Sequence, residues 1–290
     1  MVEVYRATLA QSRGDVSGTL AHAMRARDLA GDDDHFILGA ASGYLGLAAW
    51  AAGDLVVAAD TFGEAVAHIR AAGNVADGVG MSVVLASIAR ARGRPDEARR
   101  LYERDLATAL ATPGPALSTT GDLHVGLADV LVEQAELAAA EAHLQAAADL
   151  GERGSLIENR HRSHLACAAL LRARGDLDGA VAALDEARSL FLPGYYPDVR
   201  PIPALTARVR IAQGRVADAR AWADDHQVDP HASDHLSEFD RLTLARLMVA
   251  EKVSPEDVIA LTDRVVAEAG PAGRGGSVAD ALVVRRHGGW

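Results

Sequence analysis

The chain has 290 residues and a formal net charge of −11, so it repels phosphate backbones, and we expect no direct nucleic-acid binding by this segment. It contains one cysteine, Cys167, which excludes an intramolecular disulfide and makes the cytoplasm the simplest location. The N-terminus lacks the apolar stretch of a signal peptide, and because no run of about 18 apolar residues occurs we expect no membrane span.

One turn recurs at a nearly constant interval from the N-terminus onward. Its central residues are Gly14, Gly53, Gly93, Ala135, Gly175 and Gly214. These positions are 39, 40, 42, 40 and 39 residues apart, and five of the six are glycine. A period of this size is typical of a solenoid, in which each repeat packs on its neighbours.

The residues around each turn predict a helical hairpin. Seven residues before the turn the side chain is always small: Ala7, Gly46, Ala86, Ala128, Ala168 and Ala207. A second small position follows five residues after the turn: Thr19, Ala58, Ala98, Ala140, Ala180 and Ala219. Small residues let two helices approach closely, and glycine between them ends the first helix in a left-handed conformation. Asp54 and Asp176, directly after the turn, are expected to cap the second helix.

The complete pattern predicts an all-α fold. A degenerate seventh pair follows over 234–251 and 254–270, so we expect about fourteen helices and no sheet. The predicted architecture is a right-handed superhelix (solenoid) of about seven hairpins with a period near 40 residues. This spacing resembles the tetratricopeptide repeat (TPR), whose period of roughly 34 residues is stretched here. Residues 1–270 form the predicted array, and 271–290 are expected to begin a further helix or to form a C-terminal tail.

Motifs for catalysis or nucleotide binding are missing from the chain. It contains no GxxxxGK[ST], HExxH, CxxC or GxSxG pattern, so we expect no enzyme activity and no cofactor. His161 and His164 could begin a metal site, but nothing equally placed adds a third ligand, and a solvated helix start is the favoured interpretation. A zinc or pH-sensitive site at His226, His231 and His235 is the weaker alternative.

The concave groove is the candidate for function. By resemblance to TPR arrays, each first helix faces inward six and three residues before its turn. The candidate groove residues on the first helices are Trp50, Arg90, Asp129, Arg172, Arg208 and Arg246. The arginines could receive an anionic or polyhydroxylated ligand or an acidic peptide, or each could pair with a carboxylate such as Asp129 or Glu238. In the connection LPGYYPDVRP, Tyr195 and Tyr196 could stack on a ligand or cover the end of a hairpin.

Several segments carry a family resemblance in combination: GYLGLAAWAAGDLVVAADTFGEAV, HVGLADVLVEQAELAAAEAHL, ARGDLDGAVAALDEA and SEFDRLTLARLMVAE. Together they resemble the superhelical sensor region of large ATP-dependent, MalT-like regulators of the LuxR family. The resemblance implies that the array receives a small-molecule inducer, in some members a sugar, or a regulatory protein. It also implies a relay to a nucleotide switch that permits self-association, which leaves a homo-oligomer open.

The chain contains neither a nucleotide-binding module nor a helix-turn-helix pattern, so we expect an isolated sensor domain. The alternative is a free-standing scaffold that binds a peptide or helix in its concave groove. The shape of the groove separates the two hypotheses. A deep pocket closed by the connections 192–201 and 225–235 favours a small ligand, whereas an open channel favours a peptide.

Overall fold

The computed structural model describes residues 1–289 and folds them into fifteen α-helices. They are α1 (Val2–Ser12), α2 (Val16–Leu29), α3 (His35–Ala52), α4 (Leu55–Ala71), α5 (Val75–Ala91), α6 (Pro95–Ala111), α7 (Thr120–Glu133), α8 (Leu137–Leu150), α9 (His161–Ala173), α10 (Leu177–Leu190), α11 (Ile202–Ala212), α12 (Val216–Asp225), α13 (Glu238–Ala250), α14 (Pro255–Ala269) and α15 (Gly275–Gly288). No strand occurs within residues 1–289, and the prediction of an all-α solenoid is confirmed.

Consecutive helices pair into seven hairpins, from hairpin 1 (α1–α2) to hairpin 7 (α13–α14). All six predicted turn residues have a left-handed backbone, with φ between 62° at Ala135 and 85° at Gly53. Hairpin 7 turns at Lys252, with φ 58°, which explains why the glycine pattern did not mark it. Asp54 and Asp176 cap α4 and α10 as predicted, because their carboxylates accept hydrogen bonds from the backbone N–H groups of residues 57 and 179.

The predicted small residues lie where paired helices touch. All six side chains at the position five residues after the turn are fully buried: Thr19, Ala58, Ala98, Ala140, Ala180 and Ala219. The partner positions on the first helices are buried as well. Larger side chains such as Phe62, Tyr102 and Leu184 fill the space beside them and form the core between neighbouring hairpins. The hairpin register read from the sequence is therefore the register of the fold.

The C-terminal end of the array contacts an earlier part of the superhelix. The segment 271–289, expected as a helix start or a tail, forms α15, which packs on α13 and α14 and reaches α5. The backbone N–H of Leu55 donates to the carbonyl of Ala272 at 3.3 Å, and the Arg274 guanidinium donates to the carbonyl of Gly53 at 3.1 Å. The turn of hairpin 2 thus lies against the α14–α15 connection, the turn of hairpin 3 lies against the start of α15, and the superhelix closes on itself.

Residues 191–201, between α10 and α11, run through the concave side of the array; we call them the strap. Tyr196 and Val199 of the strap pack against the core cluster of hairpins 2 and 3, which includes Trp50. At the other edge, the side-chain amide of Gln11 reaches the carbonyl of Gly194 at 3.5 Å. The strap therefore joins the fifth and sixth hairpins to the first three across the groove.

Helix α3 is the one helix among the described residues that is long and apolar enough to cross a membrane by length and composition. No such segment was expected from the sequence. In the structure α3 packs between α2 and α4, and Ala41, Leu47, Ala48 and Trp50 are among its buried residues. Its apolar character is accounted for by this packing, because a core helix and a membrane span share the same composition.

Candidate functional site

A cavity of about 200 Å³ lies between the strap and the first helices of the central hairpins. Its apolar wall contains Trp50 of α3, Val84 of α5, Leu165 of α9 and Val209 of α11. Tyr196 of the strap lines the same cavity, and burial raises the pKa of its hydroxyl to about 12, which keeps it neutral. The strap therefore covers part of the groove and leaves a half-open pocket with an apolar wall.

Arg90 forms the paired part of the polar wall. Its guanidinium makes an ion pair with Asp129 of the next hairpin and donates from Nε to Glu133 at 2.7 Å. Burial opposes the charge of Arg90, but the two carboxylates outweigh it and raise the pKa of Arg90 above its ordinary value. Burial likewise works against the Asp129 carboxylate, while Arg90, Arg200 and Arg162 hold its pKa below the usual range.

A second cluster lies beside the cavity around Asp280 of α15. Arg208 contacts Asp280 at 2.8 Å, and Arg246 pairs with the same carboxylate. The Arg208 guanidinium also lies 3.7 Å from the ring centroid of Phe239 and donates to Thr243 at 2.7 Å. Burial lowers the pKa of Arg208 to about 9 even with Asp280 opposing the shift, and the neighbouring Arg246 adds to the lowering.

Three further arginines line the cavity without a carboxylate within 4 Å among residues 1–289: Arg162, Arg172 and Arg200. Arg162 donates to the hydroxyl of Ser87 at 3.2 Å. Arg200 lies 5.5 Å from the ring centroid of Phe239. Burial lowers the pKa of Arg172 and of Arg200, and nearby arginines lower both further. Burial also opposes the charge of Arg162, but Tyr102 and Asp122 outweigh it and raise the pKa of Arg162. Arg172 and Arg200 are therefore the two cavity arginines whose charge is opposed by their surroundings.

One buried donor at the cavity wall lacks a partner. The indole Nε1 of Trp50, a residue only 6% exposed, has no hydrogen-bond acceptor. Buried polar groups are almost always paired in folded proteins. No group of three or more His, Cys, Asp or Glu side chains that could hold a metal ion is found in the described part of the chain. The geometry of the site is that of a ligand pocket, with polar groups set into an apolar wall.

Comparison with known proteins places this architecture in a family. The family described as the MalT-like TPR region matches residues 1–287, which is nearly the whole chain. The chain belongs to this family. The suspected resemblance to a MalT-like sensor region is thereby confirmed at the level of the domain. No curated protein matches the sequence of this MalT-like TPR region.

Solved structures share the fold at low sequence identity. A Rap protein complexed with Competence and Sporulation Factor has a TM-score of 0.66 and 11% identity, over 97% of this chain and 81% of that one. The apo form of RapI has a TM-score of 0.56 and 9% identity, over 99% and 97%. A tetratricopeptide repeat protein from Parabacteroides merdae has a TM-score of 0.52 and 13% identity, over 97% of both chains. At these identities the similarity shows the fold alone.

The structure brings most of the predicted groove residues of the MalT-like TPR region together. Trp50, Arg90, Asp129, Arg172 and Tyr196 line one cavity. The other three do not line it: Arg208 and Arg246 contact Asp280 beside the cavity, and Tyr195 is 42% exposed. The sequence left open whether each groove arginine binds a ligand or pairs with a carboxylate. Arg90, Arg208 and Arg246 pair with a carboxylate, and Arg172 does not.

Sequence reasoning missed Arg162 and Arg200. Arg162 lies ten residues before Arg172, and together with Leu165 and Ala169 the two arginines occupy positions i, i+3, i+7 and i+10 of one helical stripe. Arg162 could have been predicted by extending this stripe toward the start of α9. Arg200 follows no periodic pattern, because it belongs to the strap.

The interpretation of His161 as part of a solvated helix start is wrong. His161 is 9% exposed, and its ring meets that of Phe191 edge-on with centroids 5.1 Å apart. Burial, with the positive charge of Arg162 as a smaller cause, lowers the pKa of His161 to about 4. The prediction of a solvated helix start was wrong because the strap covers His161, and the strap is distant from His161 along the chain.

This burial predicts a loss of stability in mild acid. The folded pKa lies below the unfolded value of about 6.5, so the folded state favours neutral His161 and its contribution is lost as the pH falls below about 6.5. Between pH 7.5 and 5.0 we expect about 2 kcal/mol less stability from this group. Urea unfolding of the wild type and His161→Gln at both pH values measures it. An equal pH dependence in the two proteins would show that His161 is not the source.

Proposed function

We propose that this MalT-like TPR region is the effector-sensing part of a LuxR-type transcriptional regulator. In this proposal a small effector enters the cavity, and its binding is relayed to ATPase and DNA-binding modules encoded with this chain. Self-association into a homo-oligomer and a cytoplasmic location belong to the same proposal. The membership of the chain in the MalT-like family supports the regulatory context.

One observation carries the choice of a small effector. The strap runs through the groove and leaves a pocket of about 200 Å³, whereas a peptide-binding scaffold needs an open channel along the array. The second connection named in advance, 225–235, does not line the cavity; His235 lies instead against Gly53 at the turn of hairpin 2. Closure by the strap alone is thus sufficient to favour the sensor over the scaffold.

The shared fold is compatible with this function. The Rap protein of similar architecture is complexed with Competence and Sporulation Factor, a partner that its fold accommodates. A solenoid also suits a relay, because each hairpin contacts its neighbours and a change at one interface passes to the next. In this chain the strap and the closure at Arg274 add contacts between hairpins that are far apart in sequence.

The test uses the complete reading frame that encodes this chain. A thermal-shift screen of cellular metabolites identifies the effector, and ATP hydrolysis and promoter binding are then measured with and without it. Ala169→Phe fills the cavity without removing an ion pair, and Ala182→Phe places the same ring on an exposed face of α10 as a control. We expect Ala169→Phe to abolish the effector response and Ala182→Phe to keep it.

Two results would contradict the proposal. The first is a reading frame that encodes no nucleotide-binding or helix-turn-helix module beside this chain. The second is an effector response that persists in a folded Ala169→Phe protein, because the effector would then bind outside the cavity.

A further inference from the structure

We infer that the effector is a small organic anion, a carboxylate or a phosphate monoester, with an apolar body, and that it binds to Arg162, Arg172 and Arg200. This inference rests on the proposed function, since it names the chemical class that the same cavity accepts. All three arginines line the cavity, and none has a carboxylate within 4 Å among the described residues. Guanidinium groups recognise carboxylates and phosphates through paired, charge-assisted hydrogen bonds.

The charge balance of the cavity supports an anion. Arg90 carries one positive charge and pairs with two carboxylates, Asp129 and Glu133. The cavity is also lined by two carboxylates that make no ion pair within 4 Å, Glu158 and Asp198. Burial raises the pKa of Asp198, so its environment favours the neutral acid. Four arginines are thus set against four carboxylates, and the shift of Asp198 toward its uncharged form leaves the excess charge positive.

The surroundings of two of the arginines, Arg172 and Arg200, point the same way. Burial and the charge of Arg246 work against the positive charge of Arg172, and burial together with Arg90 works against that of Arg200. A charged group taken partly out of water is costly unless an opposite charge or hydrogen bonds compensate it. A bound anion supplies that compensation to both arginines at once, and it does so without displacing an existing ion pair.

The apolar wall favours a ligand with an apolar body. Trp50, Val84, Leu165, Leu184 and Val209 cover much of the cavity and offer no hydrogen-bond acceptor, so the polar groups of a ligand are confined to the side that carries the arginines and carboxylates. A hydroxyl placed against such a wall loses its hydrogen bonds to water without replacement. An alkyl or aryl body fits this wall, while the acid group meets the arginines. The unpartnered indole Nε1 of Trp50 adds one donor to the same wall.

The position of the arginines couples binding to the strap. Arg162 and Arg172 belong to α9, whereas Arg200 is the last strap residue before Pro201 and α11. An anion held by both sides ties the strap to α9. We therefore expect the backbone amides of residues 194–200 to exchange hydrogen more slowly when the anion is bound.

The experiment compares ligands that differ only in charge. Binding of hexanoate, phenylacetate and hexyl phosphate to the purified chain is measured by calorimetry beside the neutral hexanamide, phenylacetamide and hexanol. Glucose 6-phosphate, glucose and phenylalanine test the sugar and the zwitterion. We expect an alkyl or aryl anion to bind at least about tenfold more tightly than its neutral counterpart. Whether hexanoate or hexyl phosphate binds better identifies the acid group.

Substitutions then show which arginines bind the anion. Arg172→Gln and Arg200→Gln break no ion pair, so both proteins should fold, and each should weaken the anion by about tenfold. Arg174→Gln is the matched control two residues along α9; Arg174 pairs with Glu141 outside the cavity, and its loss should leave binding unchanged. Equal weakening by Arg174→Gln would overturn the inference.

The outcomes separate this inference from the proposed function. If a neutral compound, glucose or phenylalanine binds as tightly as the alkyl and aryl anions or more tightly, the inferred ligand class is wrong. The proposed sensor function is not affected by that result. Failure of every anion in the wild-type chain also overturns the inference, and the Ala169→Phe comparison then decides the sensor function by itself. Slower exchange at residues 194–200 with the anion alone supports the coupling to the strap, and unchanged exchange refutes it.

Discussion

Replacing Arg274 by methionine destabilises the fold by about 3–5 kcal/mol, because it leaves a buried carboxylate without its cation. Arg274 is 6% exposed and Glu238 only 2%. The guanidinium contacts Glu238 at 2.8 Å and 2.9 Å and donates to the carbonyl of Gly53 at 3.1 Å. Burial works against the Glu238 charge, and its partners, Arg274 among them, hold its pKa below the ordinary range. Methionine keeps an unbranched apolar side chain but none of these bonds.

Two further variants identify the cause. Arg274→Met combined with Glu238→Met removes both charges, and it should regain most of the lost stability, since a buried ion pair can be replaced by apolar groups at little cost. Arg174→Met breaks an exposed pair with Glu141 and should cost less than about 1 kcal/mol. Denaturant unfolding measures all three proteins. A loss below about 1 kcal/mol for Arg274→Met would mean that the closure of the superhelix does not depend on this pair.

The hairpins could be predicted because their signals are local. A glycine, a small residue seven positions before it and another five after it specify one turn and one helix contact within a single repeat. Gly53 and Arg274, in contrast, are 221 residues apart, and no periodic pattern relates them. The closure of the superhelix depends on such contacts, so it was visible only in three dimensions. The same reason applies to α15, whose partner helices could be guessed but whose contact with α5 could not.

The candidate site was predictable to the extent that it lies on helices. Trp50, Arg90, Asp129 and Arg172 follow from the period of the first helices, and they do line one cavity. The strap has three prolines and a glycine between 191 and 201, and such a connection carries no periodicity that reveals its path. The cover that the strap places over the cavity and the position of Arg200 therefore remained hidden in the sequence.

Gly46→Ala is a substitution for which the repeat pattern and the packing predict opposite effects on stability. Gly46 is the only glycine at a position where the other five predicted hairpins have alanine, so the pattern predicts that alanine is tolerated and helix propensity predicts a gain. In the structure, a Cβ at this position would overlap the ring of Phe62, with Cε2 at 2.9 Å and Cδ2 closer still. Phe62 is 2% exposed and has no room to move away. We expect Gly46→Ala to destabilise the fold by about 1–2 kcal/mol through overpacking.

A second glycine provides the matched control. Gly63 lies in α4 next to Phe62, and a Cβ there would meet no atom within 4 Å. Gly63→Ala should therefore stabilise the chain by about 0.5–1 kcal/mol, because alanine loses less backbone entropy in a helix. Gly46→Ala combined with Phe62→Leu relieves the overlap, so in the Phe62→Leu background the alanine should be neutral or stabilising. Urea unfolding of the four variants gives these differences. If Gly46→Ala and Gly63→Ala stabilise equally, the ring of Phe62 does not fill the space beside Gly46, because only that ring distinguishes the two sites.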